Sequence, residues 1–154
     1  MAKRGDPDVY AVSTRNLAQQ FDWLAANGYH PISMAQLVDN VKQGRPLPDR
    51  PVLLTFDDGL RSAYTKAFPL LRAYNYPAVV AVVTSWLDLP EGKTFDYGPR
   101  FFGRDDFLTW DQLKEMKASG LIEVASHTHD MHMGVLANPQ GNETPAVITH
   151  LYDA

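Results

Sequence analysis

Three short apolar runs, separated by segments with helical periodicity, constrain the fold of this chain more than any other feature of its sequence. The runs are PVLLTF, PAVVAVVT and LIEVA, at residues 51–56, 77–84 and 121–125. Each has the length of a strand, and the first two are continuously apolar, which is typical of strands covered on both faces. A helix predicted at 60–74, kinked or split at Pro69, connects the first two runs.

Three further helices are predicted, each from a capping Ser, Thr or Asp, apolar positions at helical spacing and a terminating glycine. They run from Ser13 or Thr14 to Gly28, from Ser33 to Gly44, and from Thr109 or Asp111 to Gly120. Residues 86–108 and the polar stretch after the third run are predicted to be loops, with a last helical fragment near Val147. Strands that alternate with helices in this way predict an α/β fold of parallel strands with crossover helices.

Composition narrows the class of protein. A chain of 154 residues is expected to form one domain. Its formal net charge is -4 and its basic residues are scattered, which argues against a nucleic-acid-binding surface. It has no cysteine, so a thiolate metal site and a cysteine nucleophile are excluded. No apolar run has the length of a transmembrane helix, and MAKRGDPDVY lacks the apolar centre of a signal peptide.

Two adjacent carboxylates, Asp57 and Asp58, follow the first apolar run directly and precede Gly59. Their like charges repel, so the pair is either solvated in a turn that opens the next helix or held beside a cation. A second polar segment, SHTHDMH, follows the third apolar run. Because reactive groups in parallel α/β folds gather beyond the carboxyl ends of strands, we expect the ends of neighbouring strands to bring the two segments together.

Aspartate and histidine are ligands that suit zinc and related divalent cations. The two segments hold six such residues, Asp57, Asp58, His127, His129, Asp130 and His132. Three protein ligands leave a coordination position for water. If one carboxylate of the pair binds the cation, the other can take a proton from that water. From spacing alone, a solvated acidic turn and an exposed histidine-rich loop remain open as alternatives.

The motifs around these residues resemble a known family. TFDDG after one strand and EVASHTHDMH after another are similar to the motifs of the polysaccharide deacetylase family, the NodB-homology or carbohydrate esterase 4 type. The family's usual second motif is His-Ser/Thr-x-x-x-His, whereas here the second histidine, His132, comes five residues after His127. That spacing resembles the biofilm branch, whose members remove acetyl groups from poly-β-1,6-N-acetylglucosamine. LAQQFDWLAANGYHPIS and LTWDQLKEMKASGLIEVASHT also resemble that branch.

The resemblance implies a partial distorted (β/α) barrel and a metal-dependent hydrolase that removes acetyl groups from an N-acetylglucosamine polymer. The cofactor it implies is a divalent metal, with zinc first and cobalt or nickel as alternatives. Carried over residue by residue, Asp57 is the general base, and Asp58, His127 and His132 are the metal ligands. Thr128 matches the family's Ser or Thr and is expected to steady the histidine loop by hydrogen bonding.

The remaining polar and aromatic residues carry less weight. His129 is an alternative ligand, and for both His129 and Asp130 an exposed loop position is favoured over a role in the site. One set of aromatic residues is expected either to form a sugar-stacking wall or to pin the long loop to the barrel. That set is Trp86, Tyr97, Phe101, Phe102 and Trp110.

The resemblance also implies that residues 1–154 are a single incomplete NodB-homology domain. The strand expected to bring a histidine general acid is not recognised in the sequence. Later motifs, including a base-orienting arginine and an acetyl pocket, are not recognised either. A non-catalytic remnant that binds metal or glycan, and a different barrel amidohydrolase, are therefore alternatives. The expected partners are the polysaccharide and, for an exported parent protein, exopolysaccharide export machinery.

Overall fold

The computed structural model describes residues 12–97 and 100–146 as an assembly of short strands and helices. In chain order the helices are α1 (Thr14–Ala26), α2 (Met34–Gln43), a π-helical turn (Ala63–Ala67), α3 (Phe68–Tyr74), α4 (Thr84–Leu87), a 3₁₀ turn (Arg104–Asp106) and α5 (Trp110–Ala118). The strands are β1 (His30–Pro31), β2 (Pro51–Val52), β3 (Thr55–Phe56), β4 (Ala78–Val82), β5 (Thr94–Tyr97), β6 (Arg100–Gly103), β7 (Ile122–Ser126), β8 (Gly134–Leu136) and β9 (Glu143–Pro145).

A three-stranded parallel sheet, in the order β3-β4-β7, forms the centre of this structure. β4 is the middle strand, and its five residues pair in register with the five residues of β7. β1 and β2 form a second parallel pair, and two antiparallel hairpins are formed by β5 with β6 and by β8 with β9. Parallel strands connected by helices confirm the predicted α/β fold.

The first apolar run does not form one continuous strand. Pro51–Val52 pairs with β1 and Thr55–Phe56 pairs with β4, so the chain passes from one sheet to the other at Leu53 and Leu54. The prediction of cover on both faces is also wrong here, because both leucines are half-buried and Thr55 is exposed. The second run meets that prediction, since four of the five residues of β4 are buried.

A π-helical turn directly before Phe68 and Pro69 interrupts the α-helical geometry after β3, in the helix where the sequence predicts a kink or a split. A proline has no N–H, and its ring clashes with the carbonyl of an α-helix four residues earlier. The preceding turn is widened into a π-helix, in which the Phe68 N–H donates to the Ala63 carbonyl. The chain then continues as an α-helix to Tyr74. The widened turn therefore accommodates the proline within one continuous helical segment.

Capping side chains start the other predicted helices where the sequence places them. Ser13, Ser33 and Thr109 each accept an N–H from the residue three positions ahead. The backbone N–H groups of Ser33 and Thr109 donate in turn to the Oε1 atoms of Gln36 and Gln112, which completes two capping boxes. Each such cap contributes about 1 kcal/mol to helix stability.

Two segments predicted to be loops contain hairpins instead. β5 and β6 pair within residues 86–108, and β8 and β9 pair beyond the third apolar run. In the second hairpin Val135 lies opposite Thr144, and such β-branched pairs favour strands even in a polar sequence. Gly141, with φ of +84°, lies in the connecting turn. The helical fragment predicted near Val147 lies outside the described residues.

Within residues 12–97 and 100–146, the core consists of two clusters. The larger joins α1, α3 and α5 to the sheet, and its fully buried members include Phe21, Leu71, Val80 and Met116. The smaller contains Val83, Trp86, Phe102 and Phe107 and lies where β4 gives way to α4. The hydrophobic core therefore extends to the carboxyl end of the middle strand.

Two tyrosine–carboxylate hydrogen bonds connect helices on the surface. The Tyr74 hydroxyl donates to Asp22 Oδ1 at 2.5 Å, which links α3 to α1. The Tyr64 hydroxyl donates to Glu115 Oε2 at 2.7 Å, which links the π-helical turn to α5. Each bond favours the protonated phenol and raises the pKa of the tyrosine that donates it.

Raising the pH above the ordinary tyrosine pKa of about 10 is expected to destabilise the fold. Because the pKa values are raised in the folded state, the unfolded chain loses these protons first. The stabilisation is complete below about pH 10 and is lost as the pH rises through the folded-state pKa values. Urea unfolding at about pH 8 and about pH 11 measures this loss. The Tyr64→Phe/Tyr74→Phe double variant is expected to lose less stability, and an equal loss would contradict the assignment.

Candidate metal centre

A tight turn at the end of β3 positions the aspartate pair. The Gly59 N–H donates to the Asp57 carbonyl at 2.9 Å, and Asp58 between them has φ of +73°. This γ-turn holds a non-glycine residue in the left-handed region, which costs about 1–3 kcal/mol and is found mainly at functional sites. The turn gives the two acids different surroundings: Asp57 is exposed, whereas the Asp58 side chain is only 16% exposed.

Gly59 continues the turn with φ of +78° and leaves no room for a side chain. A Cβ at this position would lie 3.0 Å from Leu87 Cδ1 and 3.1 Å from Val82 Cγ1. On the other side of the residue, its carbonyl accepts the Leu108 N–H at 2.9 Å. The acidic turn is therefore packed directly against the end of β4 and against α4.

The histidine loop begins where β7 ends. The His127 N–H donates to the Val82 carbonyl at 2.9 Å, which extends the contact with β4 by one residue past the strand. Thr128 then reverses the chain with φ of +75°, and its Oγ1 accepts the Met131 N–H at 3.1 Å. This reversal brings His132 beside His127, with the ring centroids 4.8 Å apart.

Asp58, His127 and His132 converge on one point. Asp58 Oδ1 lies 3.5 Å from His127 Nε2 and 3.4 Å from His132 Nε2. One ligand atom from each of the three lies within 4.8 Å of the others. Two ligand atoms at about 2.0–2.2 Å from a tetrahedral cation are roughly 3.3–3.6 Å apart, which matches the separations of Asp58 Oδ1 from the two imidazole nitrogens. The three side chains therefore form a candidate metal-binding group.

The strands that carry this group are not neighbours, although the sequence predicts that they are. β3 and β7 lie on opposite sides of β4, so about 10 Å separates them at the usual strand spacing. The ligands still meet because the acidic turn and the histidine loop both contact the carboxyl end of β4. That strand supplies the carbonyl that holds His127 and the side chain of Val82 that packs against Gly59.

His129 and Asp130 lie outside the described metal-binding group and contact the start of α4. His129 Nδ1 is 2.7 Å from Thr84 Oγ1, and Ser85 Oγ donates to Asp130 Oδ1 at 3.2 Å. Sequence reasoning missed Thr84 and Ser85. A signal was present, because Thr84 ends the second apolar run and Ser85 follows it, where a parallel α/β fold gathers its functional groups.

The aromatic residues divide by burial. Trp86 and Phe102 are 8% and 5% exposed and belong to the smaller core cluster, which favours the pinning role over a sugar-stacking role for both. The Trp86 ring also meets His132 edge-on at 5.1 Å between centroids. Trp110 is 39% exposed, and its Nε1–H donates to Asp88 Oδ1 at 2.7 Å. The Tyr97 side chain lies outside the described part of the structure.

The family model for polysaccharide deacetylase matches residues 44–149. The chain belongs to the polysaccharide deacetylase family. This confirms the resemblance found in the sequence and, with it, the partial (β/α) barrel of the NodB-homology type.

Individual members of the deacetylase family align over nearly the whole chain. The poly-β-1,6-N-acetyl-D-glucosamine N-deacetylase of Escherichia coli K12 is 44% identical over 147 residues, which are 96% of this chain and 22% of that protein. The BpsB deacetylase domain of Bordetella bronchiseptica is 56% identical with a TM-score of 0.80, over 94% of this chain and 56% of that one. The de-N-acetylase of Aggregatibacter actinomycetemcomitans is 44% identical with a TM-score of 0.85, over 95% and 56%. The chain thus spans little more than half of each solved relative.

Gly59→Ala is expected to lower the free energy of unfolding by about 2–4 kcal/mol, because it adds backbone strain and a close contact with Val82 and Leu87. Gly92→Ala is the matched control. Its φ is +75°, but a Cβ there meets nothing within 4 Å, so only the strain of about 1–2 kcal/mol is expected. Urea unfolding measures both variants. Equal losses would show that the space beside Gly59 is not limiting.

Proposed function

We propose that this chain carries the metal-binding part of a polysaccharide N-deacetylase that acts on poly-β-1,6-N-acetylglucosamine. The observation that carries the proposal is the convergence of Asp58, His127 and His132 beside the exposed Asp57. Support for the substrate comes from the Escherichia coli relative, which is named as a deacetylase of this polymer and aligns with 96% of this chain.

The three ligands suit a divalent cation, and zinc is the metal we propose. Two imidazoles and one carboxylate are a common zinc ligand set, and cobalt or nickel accepts the same donors. When bound, such a cation polarises an amide carbonyl and lowers the pKa of a water molecule. The Trp86 ring lies against His132 and, being buried, limits the rotation of that imidazole.

Asp57 is the residue we assign as general base. Its carboxylate is exposed, and the γ-turn joins it directly to the ligand Asp58. An aspartate that is not itself a ligand can accept the proton of the attacking water at a carboxylate oxygen. The turn thus allows the two aspartates to have different roles, because Asp57 is exposed to solvent and Asp58 lies between two imidazoles.

The wider assignments follow from the proposed substrate. Trp110 is the aromatic residue we propose for contact with a sugar ring, because it is partly exposed and Asp88 holds its indole N–H. A polymer of this kind lies outside the cytoplasm, so we propose an exported parent protein that works with exopolysaccharide export machinery. Within the described residues, no helix is long and apolar enough to cross a membrane.

A second candidate function is a non-catalytic remnant that binds a cation or glycan. Its support is the placement of the two described histidines outside the metal-binding group. His30 Nδ1 lies 2.7 Å from the Asp49 carbonyl, and His129 contacts Thr84. Both are therefore held by other partners, and neither is assigned as the acid that protonates the departing amine.

Calorimetric titration with Zn²⁺ or Co²⁺ tests the metal centre. The chain is expected to bind one ion, and Asp58→Ala and His132→Ala are each expected to weaken binding by about 100-fold or more, because each removes a ligand. His30→Ala is the matched control, since this histidine lies at the β1–β2 pair and its loss should leave the affinity unchanged. Unchanged affinity in His132→Ala would overturn the proposed ligand set.

Acetate release from N-acetylglucosamine oligomers tests the reaction. Acetate release is measured for this chain and for a chimera in which this chain replaces the matching part of the Bordetella bronchiseptica deacetylase domain. We expect Asp57→Asn to keep the cation but to lower turnover of the chimera by about 10²- to 10⁴-fold, because the proton acceptor is lost. A chimera that binds the cation and releases no acetate would favour the remnant. Unchanged turnover in Asp57→Asn would remove Asp57 from the base role.

A further inference from the structure

The start of α4 holds the histidine loop by four hydrogen bonds. Two use the backbone: the Thr84 N–H donates to the Thr128 carbonyl at 3.3 Å, and the Ser85 N–H donates to the His129 carbonyl at 3.0 Å. Two use side chains: Thr84 Oγ1 lies 2.7 Å from His129 Nδ1, and Ser85 Oγ donates to Asp130 Oδ1 at 3.2 Å. We call Thr84 and Ser85 the platform.

The platform is fixed by the core. Val83, which precedes it, is fully buried, and Trp86 and Leu87, which follow it, are 8% and 1% exposed. No side chain caps α4, so its first N–H groups are free to bond the carbonyls of the loop. The two platform residues therefore have a backbone position set by hydrophobic packing on both sides.

The loop that carries the two histidine ligands has no comparable anchorage of its own. Of the four residues between His127 and His132, three are exposed and Thr128 is half-buried. An exposed loop orders its side chains only through the bonds it makes to a rigid part of the fold. The bonds to the platform act together with the turn at Thr128, the His127 N–H bond to the Val82 carbonyl and the contact of Trp86 with His132 to fix its path.

We infer that Thr84 and His129 are a positioning pair for the metal centre: their hydrogen bond sets the loop so that His127 and His132 face Asp58. This inference rests on the proposed metal site and adds a role that the ligand set alone does not contain. It also separates His129 from the ligands, because its Nδ1 contacts the threonine hydroxyl and the residue lies outside the described metal-binding group.

Thr84→Val tests the pair, because valine keeps the shape and the backbone N–H of threonine but lacks the hydroxyl. Binding of Co²⁺ to the full chain is followed by titration and by the visible absorption spectrum of the bound ion. We expect the Kd to rise by about 10- to 100-fold with one ion still bound, the usual effect of losing a residue that orients a ligand. Thr84→Ser, which restores the hydroxyl, is expected to restore the affinity.

Thr65→Val is the matched control. Thr65 is an exposed threonine whose hydroxyl donates to the Arg61 carbonyl, on the helical segment before α3, and its variant should bind Co²⁺ like the wild type. Thermal unfolding without metal checks that each variant is folded. A Thr84→Val chain with wild-type affinity, or a Thr84→Ser chain that binds no better than Thr84→Val, would overturn the inference.

A double-mutant cycle distinguishes a positioning pair from an additional ligand. If the two residues act through one bond, His129→Ala and Thr84→Val will each weaken binding, and the double variant will lose little more than either one. Additive losses, or a changed Co²⁺ spectrum in His129→Ala alone, would make His129 a ligand and overturn the pair. A wild-type chain that binds no Co²⁺ would instead refute the proposed metal centre, and the inference would fail with it.

Discussion

The contact of two separate segments, the acidic turn and the histidine loop, with the end of β4 is the interaction on which the site depends. On one side the acidic turn closes against Val82, which leaves no space for a side chain at Gly59. On the other side the Val82 carbonyl holds His127. Because Ala78, Val80 and Val82 of the same strand are buried in the larger core cluster, hydrophobic burial supplies the rigidity of a polar site. The charged residues of the site are therefore positioned by the core.

The turn after β3 resolves the problem posed by adjacent carboxylates. Placing Asp58 in the left-handed region costs free energy, but it leaves Asp57 in solvent and Asp58 between two imidazoles. Strain of this kind persists only where the surrounding structure fixes it, here through Gly59 and the strand beneath it. A cation that binds only the folded chain would also stabilise it by mass action, and its occupancy would then be coupled to folding stability.

Local chemistry explains what the sequence could predict. Ser33 and Thr109 cap helices because their hydroxyls reach an N–H three residues away, whatever the rest of the fold does. The rule that functional groups gather at the carboxyl ends of parallel strands was enough to bring Asp58 and His132 to the same edge. Individual side-chain hydrogen bonds across long sequence separations could not be predicted from that rule. Thr84 and His129 are 45 residues apart, and nothing in either segment specifies the other.

Strand order and burial were the other features that the sequence could not give. An apolar run of strand length has the same sequence pattern whether it pairs along its whole length or, as here, changes partners at Leu53 and Leu54. Similarly, aromatic composition cannot say which rings face the core. Trp86 and Phe102 are buried while Trp110 stays partly exposed, and only the packing around Val83 and Phe107 decides this.

The passage of the chain from β2 to β3 has an evolutionary consequence. Exposure alternates from Thr55 to Asp58, so every second residue faces solvent and the residues between them face inward. With the pairing of β3 and β4 held in register, a single codon gained or lost after Thr55 would move Asp58 away from the position that meets the imidazoles. Length variation among descendants of this protein should therefore be suppressed in that short segment, even though its residues are exposed enough to tolerate changes of identity.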